Sequence, residues 1–407
     1  MASSQNAKTG RHVVIAGGGF AGLTAAYTAR AALRPDDRVT LVAPNTFFVF
    51  LPSLVRAALG ESLVHSSFQL DAALAAKDID YLHGYVRDVR VDDHVVRTDE
   101  GELPYDRLII ATGGRPDTST IPGLAGEFRL ASWVVGEDSA MEARNTIRHL
   151  FEHPGPIVIG AAQGASYISG AYELAFSLDA ELRRRGLRDR APLTFVTAEP
   201  YIGHLGIGQT AAQSHLTRML TDRNIETRVG VSIERVERHA VKISGGESVA
   251  TQAAMIMPPF TGAVDIWKSA GLTDGTGMIP VTAQYQHTSQ PDIYAAGVAS
   301  YFQQPTKPLG RAHPPGTGYL SVRMGKAAAQ NVAASLECGT PAKRTLPYVM
   351  DLRIIDGRST GLLLSSRGTN QLHHGARYLP GKSARVLKTA VERYLIWKLR
   401  TGQTDLL

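Results

Sequence analysis

The residues in this sequence best suited to chemistry are three glycines near its N-terminus, Gly17, Gly19 and Gly22, in a Gly-x-Gly-x-x-Gly pattern. In a dinucleotide-binding turn the first glycine permits the tight turn, the second lets the backbone approach a pyrophosphate, and the third allows close packing of helix on strand. The helix that follows presents free N–H groups to the phosphate charge. The pattern predicts that this turn binds a dinucleotide.

The residues around the glycines predict the elements that such a turn requires. Residues 12–16 form a short apolar run, residues 23–33 are rich in alanine and end before Pro35, and residues 39–42 are apolar again. This is the order strand, glycine turn, helix, strand of a βαβ unit.

Two later segments extend the pattern. Residues 105–113 read Tyr-Asp-Arg-Leu-Ile-Ile-Ala-Thr-Gly, and residues 291–297 read Pro-Asp-Ile-Tyr-Ala-Ala-Gly. Each is a short apolar strand that runs into a glycine turn, and either alone is compatible with any buried strand. Together with the N-terminal glycines they are typical of flavoproteins with two dinucleotide-binding domains.

A second βαβ-like unit begins at residues 156–160, Pro-Ile-Val-Ile-Gly, and ends in the strand of residues 193–196. Its loop holds Gly160 and Gly164 but lacks a third glycine at the nicotinamide-binding spacing. This favours a retained dinucleotide fold that no longer binds NAD(P)H.

The composition limits the other chemistries. A single cysteine in 407 residues excludes an intramolecular disulfide framework, a four-cysteine zinc site and a Cys-x-x-Cys redox pair. The formal net charge of +6 is a mild excess and predicts no nucleic-acid partner. Because residues 1–11 are polar and no apolar run approaches the ~18 residues of a membrane span, we expect a soluble or surface-bound protein of the cytoplasm.

Taken together, the motifs resemble the sulfide:quinone oxidoreductase and flavocytochrome c sulfide dehydrogenase branch of the flavin disulfide reductase superfamily. The segments that carry this resemblance are residues 39–53, 164–173, 199–208, 257–262 and 315–320, and the C-terminal helix. Such an ordered set is specific, whereas any one of these motifs is not.

The resemblance implies an α/β fold with two Rossmann-like FAD/NAD(P)-binding domains and a C-terminal amphipathic helical region. The expected boundaries are 10–150 for the first part of the FAD-binding domain, 151–285 for the second Rossmann-like domain, 286–340 for the second part of the FAD-binding domain, and 341–407 for a quinone- and membrane-facing region.

The resemblance also implies bound FAD and a quinone or other small-molecule electron acceptor. By position, the residues expected at the FAD are Gly17, Gly19, Phe20, Ala21, Gly22, Asn45, Ala111, Thr112, Gly113, Arg115, Gly297, Gly318 and Tyr319. Asn45 stands where the adenosine ribose is expected and an acidic residue is usual. Gly318 and Tyr319 are expected to border both the isoalloxazine and the quinone.

The sequence departs from this family at its redox-active cysteines. Tyr167 stands at one cysteine position, and residues 132–136 and 347–351, near the other two, contain no cysteine. Cys338 lies where a helix ends and is expected to be an incidental thiol. We therefore expect a flavoprotein without cysteine-relayed sulfide oxidation, in which a donor reduces the flavin directly.

The candidate catalytic residues are Tyr167, Glu173 and His204, and each has a simpler alternative. Tyr167 is expected to fill or stack on the substrate side of the flavin. Glu173 is a general base or a partner in an ordinary helix salt bridge. His204 is a proton relay or a hydrogen-bonded residue that stabilises a glycine-rich turn. No metal site is predicted, because the pair His373-His374 lacks further ligands at a suitable spacing.

Residues 383–400 predict an amphipathic helix. Its apolar arc comprises Val386, Leu387, Ala390, Val391, Tyr394, Leu395 and Trp397, and its basic side comprises Lys382, Arg385, Lys388, Arg393 and Arg400. This pattern is typical of helices on anionic membrane surfaces, although packing against the rest of the protein is the alternative. With the resemblance, it favours peripheral binding at the inner face of the cytoplasmic membrane. A homo-oligomer is also compatible with the sequence.

Two other functions stay open at this point. One is a type II NADH dehydrogenase-like enzyme, against which the loop of residues 160–164 argues. The other is a flavin-binding protein with lost or altered catalysis.

Overall fold

The structure is a computed structural model that describes residues 10–124, 130–206, 210–262, 265–302, 317–338, 350–367 and 373–403. The elements of its first part are β1 (His12–Ala16), α1 (Phe20–Ala32), β2 (Arg38–Ala43), β3 (Phe47–Val49), α2 (Leu54–Ala58), β4 (Ser67–Gln69), α3 (Leu70–Ala75), β5 (Asp80–His83), β6 (Val86–Arg90), β7 (Val95–Thr98), β8 (Gly101–Pro104), β9 (Arg107–Ile110) and β10 (Gly114–Pro116).

The middle of the chain forms β11 (Ala131–Ser132), α4 (Glu137–Glu152), β12 (Ile157–Ala161), α5 (Ile168–Arg184), β13 (Leu193–Thr197), α6 (Gln213–Thr221), β14 (Glu226–Val229), β15 (Ile233–Glu237), β16 (Ala240–Ile243), β17 (Ser248–Ala250), β18 (Ala253–Met257), β19 (Phe260–Gly262), α7 (Asp265–Ser269) and β20 (Ile279–Val281). The remaining elements are β21 (Ile293–Ala295), β22 (Ser300–Phe302), α8 (Gly318–Cys338), β23 (Met350–Asp356), β24 (Thr360–Arg367), β25 (His373–Pro380) and α9 (Ser383–Thr401).

Two parallel five-stranded sheets confirm the predicted α/β class. The first has the strand order β21-β9-β1-β2-β5 and the second has the order β11-β18-β12-β13-β14. Their central strands are buried apolar runs, as expected for parallel strands covered on both faces. The chain leaves the first sheet after β9 and returns to it with β21, which pairs with β9.

One boundary between the two α/β units lies earlier in the chain than the sequence predicts. Strand β11 pairs in parallel with β18 of the second sheet, and α4 packs on both of these strands. Residues 131–152 therefore belong to the second unit, which the sequence analysis began only at residue 151. The reason is that β11 is a two-residue edge strand, too short to give a periodic signal in the sequence.

Helix α9 confirms the predicted C-terminal helix, but it turns a different face outward. Val386, Tyr394 and Trp397, three residues of the predicted apolar arc, are exposed by 67%, 37% and 47%. Lys388, predicted on the solvated basic side, is buried and pairs with Glu173 of α5. A carboxylate on the neighbouring unit thus allows the helix to bury a charge that the amphipathic pattern assigned to solvent.

A second buried carboxylate ties α9 to the first unit. Glu392 is 3% exposed and accepts hydrogen bonds from the hydroxyl groups of Ser53 and Ser66. It also pairs with the guanidinium of Arg56, which lies 3.9 Å from a second carboxylate, that of Glu61. Apolar side chains further along α9 join the core of the first unit beside these contacts.

We expect Glu392→Leu to lower the free energy of unfolding by about 3 kcal/mol, because it leaves a half-buried arginine without its main partner and two hydroxyl groups without an acceptor. Arg393→Ala, at the adjacent exposed position, is the matched control and is expected to change stability by about 0.5 kcal/mol or less. Urea unfolding of both variants measures the difference. Equal stabilities would mean that Glu392 does not fasten α9.

Candidate functional site

A cavity of about 530 Å³ lies where the carboxyl ends of the first sheet's strands meet the second unit. It is bordered by the glycine turn after β1, the end of β2, the turn after β9, the turn after β21 and the start of α8. The second unit contributes Ser166 and Tyr167 from the loop before α5. Ligands of open α/β sheets bind at this end of the strands.

The structure brings most of the residues expected at the FAD together around this cavity. Those that line it are Gly17, Gly19, Phe20, Ala21, Asn45, Ala111, Thr112, Gly113, Gly297 and Gly318.

Three expected residues lie elsewhere. Gly22 is buried in α1, where an added Cβ would stand 1.9 Å from the carbonyl oxygen of Gly17, so its part is in packing. Arg115 is half exposed and pairs with Asp265 at 3.0 Å. Tyr319 lines a neighbouring, smaller cavity.

The glycine turn has the shape of a phosphate cradle. Gly17 has a φ of +115°, a conformation that side chains rarely tolerate, and an added Cβ would lie 2.4 Å from the carbonyl oxygen of Ala111. At Gly19, by contrast, an added Cβ would meet nothing within 4 Å. Gly19 is also the N-cap of α1 and makes no side-chain cap, so the first N–H groups of the helix are left for a ligand. The residues present therefore fit a dinucleotide pyrophosphate.

The cavity wall after β2 has an amide side chain, that of Asn45, where an acidic residue is expected. Asn45 lines the cavity after β2, and its backbone carbonyl oxygen accepts a hydrogen bond of 2.8 Å from the hydroxyl of Tyr81. Among the described residues that line the cavity, the one carboxylate is Glu137, at the start of α4. Burial raises the pKa of Glu137, and the neighbouring charge of Asp138 adds to this.

Trp267 is a lining residue that the sequence analysis missed. Its ring is buried, and its Nε1–H donates a 3.1 Å hydrogen bond to the hydroxyl of Thr112, in the Ala-Thr-Gly turn. It belongs to the five-residue helix α7, which is too short to show a periodic pattern. The contact holds the turn after β9 against the second half of the chain.

A second cavity of about 100 Å³ adjoins the first. The two cavities share Pro52, Tyr167, Thr317 and Gly318 in their walls. The remaining residues around the smaller cavity are Phe50, Ser169, Glu173, Tyr319, Arg353, Ile354, Lys388, Val391 and Leu395. Elements from both units and from the C-terminal sheet and helix thus meet at this one place.

Glu173 and Lys388 form a buried ion pair at the smaller cavity. The residues are 3% and 6% exposed, and the ammonium group of Lys388 donates to Oε1 of Glu173. The other oxygen, Oε2, accepts a weak 3.4 Å hydrogen bond from the backbone N–H of Asp356. Burial raises the pKa of the Glu173 carboxyl despite the opposing effect of Lys388. Of the two alternatives for Glu173, the structure shows the salt bridge. The pair is buried and lines the smaller cavity, unlike an ordinary salt bridge on a helix surface.

Tyr167 precedes α5 and stands in the wall between the two cavities. Its ring packs over the next turn of the helix, where an added Cβ at Gly170 would lie 2.3 Å from a ring carbon. Burial, with a smaller effect of the charge on Glu173, raises the pKa of the phenol well above its usual value. The hydroxyl group therefore keeps its proton at neutral pH.

His204 lines neither cavity. Its ring meets that of Tyr201 edge-on at 5.2 Å, and its backbone N–H donates to the carbonyl of Tyr201. Burial lowers the pKa of the imidazole, so the neutral form is favoured. These contacts match the alternative in which His204 stabilises a glycine-rich turn.

Polar side chains at the glycine loop after β12, in the second unit, make hydrogen bonds to other parts of the protein. Glu199 follows β13, the place of a ribose-binding acid in dinucleotide domains, but it is buried and accepts hydrogen bonds from Tyr172 Oη at 2.7 Å and from the N–H of Leu205 at 2.6 Å. The side-chain amide of Gln163 exchanges two 3.0 Å hydrogen bonds with the backbone of Ile233. The side chains of Glu199 and Gln163 therefore make hydrogen bonds within the protein.

Comparisons with known proteins agree with this architecture. Residues 11–308 match the family model described as pyridine nucleotide-disulphide oxidoreductase. The sulfide-quinone reductase of Aquifex aeolicus is 30% identical over 96% of this chain and 92% of that protein. The X-ray structure of the sulfide:quinone oxidoreductase from Aquifex aeolicus superposes with a TM-score of 0.88, at 29% identity over 97% of this chain and 92% of that one. An NADH dehydrogenase-like protein of Mycobacterium tuberculosis is 30% identical over 58% of this chain and 60% of that protein.

We expect Gly19→Ala to keep the fold and to weaken dinucleotide binding, because the added methyl group has free space in the protein but would face the bound dinucleotide. Affinity should fall by about tenfold or more, equivalent to ~1.4 kcal/mol of lost contact. Gly275→Ala is the matched control, since a Cβ there also meets nothing within 4 Å but lies outside the cavity. Flavin content of the purified proteins and equilibrium dialysis measure the effect, with circular dichroism as the check on folding. Full flavin retention in Gly19→Ala would contradict the assignment of the cradle.

Proposed function

The chain belongs to the pyridine nucleotide-disulphide oxidoreductase family, and from this membership we propose how it works: it is an FAD-dependent oxidoreductase that passes electrons from a donor through FAD to a quinone, without a cysteine relay. The observation that carries the proposal is a buried ion pair, Glu173–Lys388, in a small cavity that shares a wall with the dinucleotide cavity.

The larger cavity is the proposed site of FAD. Gly17 and Gly19 would hold the pyrophosphate at the N-terminus of α1, where the helix dipole favours negative charge. The turn after β9, held by Trp267 through Thr112, and Gly297 would border the rest of the cofactor. When bound, FAD supplies a two-electron carrier that can be reduced by one substrate and reoxidised by another.

The smaller cavity is the proposed quinone site. Phe50, Val391 and Leu395 give it apolar walls suited to a quinone ring, and Glu173 and Lys388 supply polar groups in the same wall. Reduction of a quinone to a quinol consumes two electrons and two protons. A carboxyl with a raised pKa and a buried ammonium group are both able to hold or deliver a proton to a quinone oxygen.

The donor is proposed to deliver its electrons without a thiol intermediate. No cysteine is among the described residues that line either cavity, and Tyr167 stands in the shared wall instead. A tyrosine that keeps its proton at neutral pH is neither a thiolate nucleophile nor part of a disulfide. Its ring shapes the donor side of the larger cavity, and its hydroxyl group can donate a hydrogen bond to a bound molecule.

The type II NADH dehydrogenase-like alternative is less well supported. It requires nicotinamide binding at the second unit, where Glu199 and Gln163 are committed to internal hydrogen bonds. The alternative of a flavin-binding protein without turnover predicts tightly bound flavin that quinone does not reoxidise.

We also propose that the exposed face of α9 binds a membrane surface, at the inner face of the cytoplasmic membrane. Val386, Tyr394 and Trp397 stand out from the body of the protein, and Arg393 and Arg400 are exposed beside them. Aromatic and basic residues together suit the interface of an anionic bilayer. Among the described residues, no helix has the length and apolarity needed to cross a bilayer. The opposite face of α9 borders the smaller cavity, so a quinone in the membrane would have a short path to it.

We expect Lys388→Met to slow quinone reduction by about 100-fold, because a proton donor in the cavity is lost. The control Lys382→Met removes the same charge from an exposed position at the start of the same helix. The protein is reduced anaerobically with dithionite and mixed with decylubiquinone in a stopped-flow cell, so that no natural donor is needed. In wild type, the rate should fall as the pH rises through the raised pKa of Glu173, since the carboxyl then gives up its proton.

The double variant Glu173→Gln/Lys388→Met separates chemistry from folding, because it leaves no unpaired buried charge. The double variant should retain flavin, and its rate of quinone reduction should remain as low as that of Lys388→Met. If quinone fails to reoxidise the reduced wild-type protein, quinone is not the electron acceptor. If Lys388→Met reduces quinone at the wild-type rate, the smaller cavity is not the quinone site. Fast bleaching of the oxidised flavin by NADH would favour the dehydrogenase alternative.

We expect Val386→Ser/Trp397→Ser to weaken binding to vesicles of phosphatidylglycerol and phosphatidylcholine by more than tenfold, because each lost apolar side chain removes about 1.5–3 kcal/mol of burial. Met141→Ser, which alters a 47% exposed apolar residue on α4, is the control. Cosedimentation measures the bound fraction at low and high salt. Identical binding of both variants and wild type would exclude α9 as the membrane contact.

A further inference from the structure

The last turn of α4 and its C-cap residue carry three side chains of metal-ligating types close together. His149, Glu152 and His153 stand at positions i, i+3 and i+4, which helical geometry brings together. One ligand atom from each, an imidazole nitrogen or a carboxylate oxygen, lies within 4.8 Å of the others. The two imidazole rings are 4.7 Å apart between centroids.

Tertiary contacts hold the backbone of this turn. The N–H of His153 donates to the carbonyl of His149 at 2.9 Å, and the carbonyl of His153 accepts a 2.5 Å hydrogen bond from Nε2 of Gln252. Between the ligands, Phe151 packs under the guanidinium of Arg185, which lies 4.1 Å from the ring centroid. The three side chains therefore project from a fixed turn, while they themselves stay exposed and accessible.

The local electrostatics favour a cation at this place. The cluster lies at the carboxyl end of a sixteen-residue helix, where unpaired carbonyl groups give a partial negative charge. Glu152 adds a full negative charge. The positive charges nearby are Arg185, which is held over Phe151, and Arg148, which is exposed on the preceding residue.

We propose that His149, Glu152 and His153 form a surface site for one divalent first-row transition ion, of the class of Zn²⁺ or Cu²⁺. Two imidazoles and one carboxylate suit these ions, whereas Mg²⁺ and Ca²⁺ prefer oxygen ligands alone. Three protein ligands leave at least one coordination position for water or for a group on another molecule. None of the three residues lines either cavity, so this site is separate from the route of the electrons.

We expect the flavin-loaded, tag-free protein to bind one equivalent of Zn²⁺ at neutral pH in isothermal titration calorimetry. His149→Ala and His153→Ala should each weaken binding by about 10- to 100-fold or more. His239→Ala is the matched control, since it removes an exposed histidine far from the cluster in sequence and outside it. Acidification should release the ion, because protons compete for the imidazole nitrogens.

A second readout reports the ligands themselves. Electron paramagnetic resonance of bound Cu²⁺ should show coupling to imidazole nitrogens in wild type and in His239→Ala, and should lose it in the double variant His149→Ala/His153→Ala. Because all three ligands are exposed, these variants are expected to unfold at the wild-type temperature. The proposal is overturned if wild type binds no ion, or if the double variant binds with wild-type affinity.

Discussion

The C-terminal helix α9 is fixed between the two α/β units by two buried carboxylates, and residues of this helix line the smaller cavity. Glu173 of the second unit holds Lys388, while Glu392 on the helix itself is held by Ser53 and Arg56 of the first. Burying either charge alone would be costly, but each has a partner of opposite sign. The two contacts together place the helix over the junction of the units, where Lys388, Val391 and Leu395 form part of the wall of the smaller cavity.

The two units show how one fold is put to different uses. In the first, the glycine turn leaves open space in front of Gly19, which lines the larger cavity. In the second, Gln163 of the loop after β12 and Glu199 after β13 make hydrogen bonds inside the protein. The same order of strand, turn and helix thus leaves open space beside its glycine turn in one unit and makes internal side-chain hydrogen bonds in the other.

Sequence alone predicted what is encoded locally. The glycine turn, its flanking strands and α9 follow from spacing and periodicity over fewer than twenty residues. The contacts that set the chemistry are not local: Lys388 lies 215 residues from Glu173, and Trp267 lies 155 residues from Thr112. The pattern of α9 assigned Lys388 to solvent because periodicity carries no information about a distant carboxylate.

The return of β21 to the first sheet has a consequence for the order in which the protein matures. Strand β9 ends at Ile110, but its neighbour β21 and the lining residues Gly297 and Gly318 follow only after the whole second unit has been synthesised. At about 5–20 residues per second, the ribosome needs roughly ten to forty seconds to cover that distance. The N-terminal glycine turn therefore leaves the ribosome long before its cavity has all its walls, and the complete cavity can form only after the start of α8 has been synthesised.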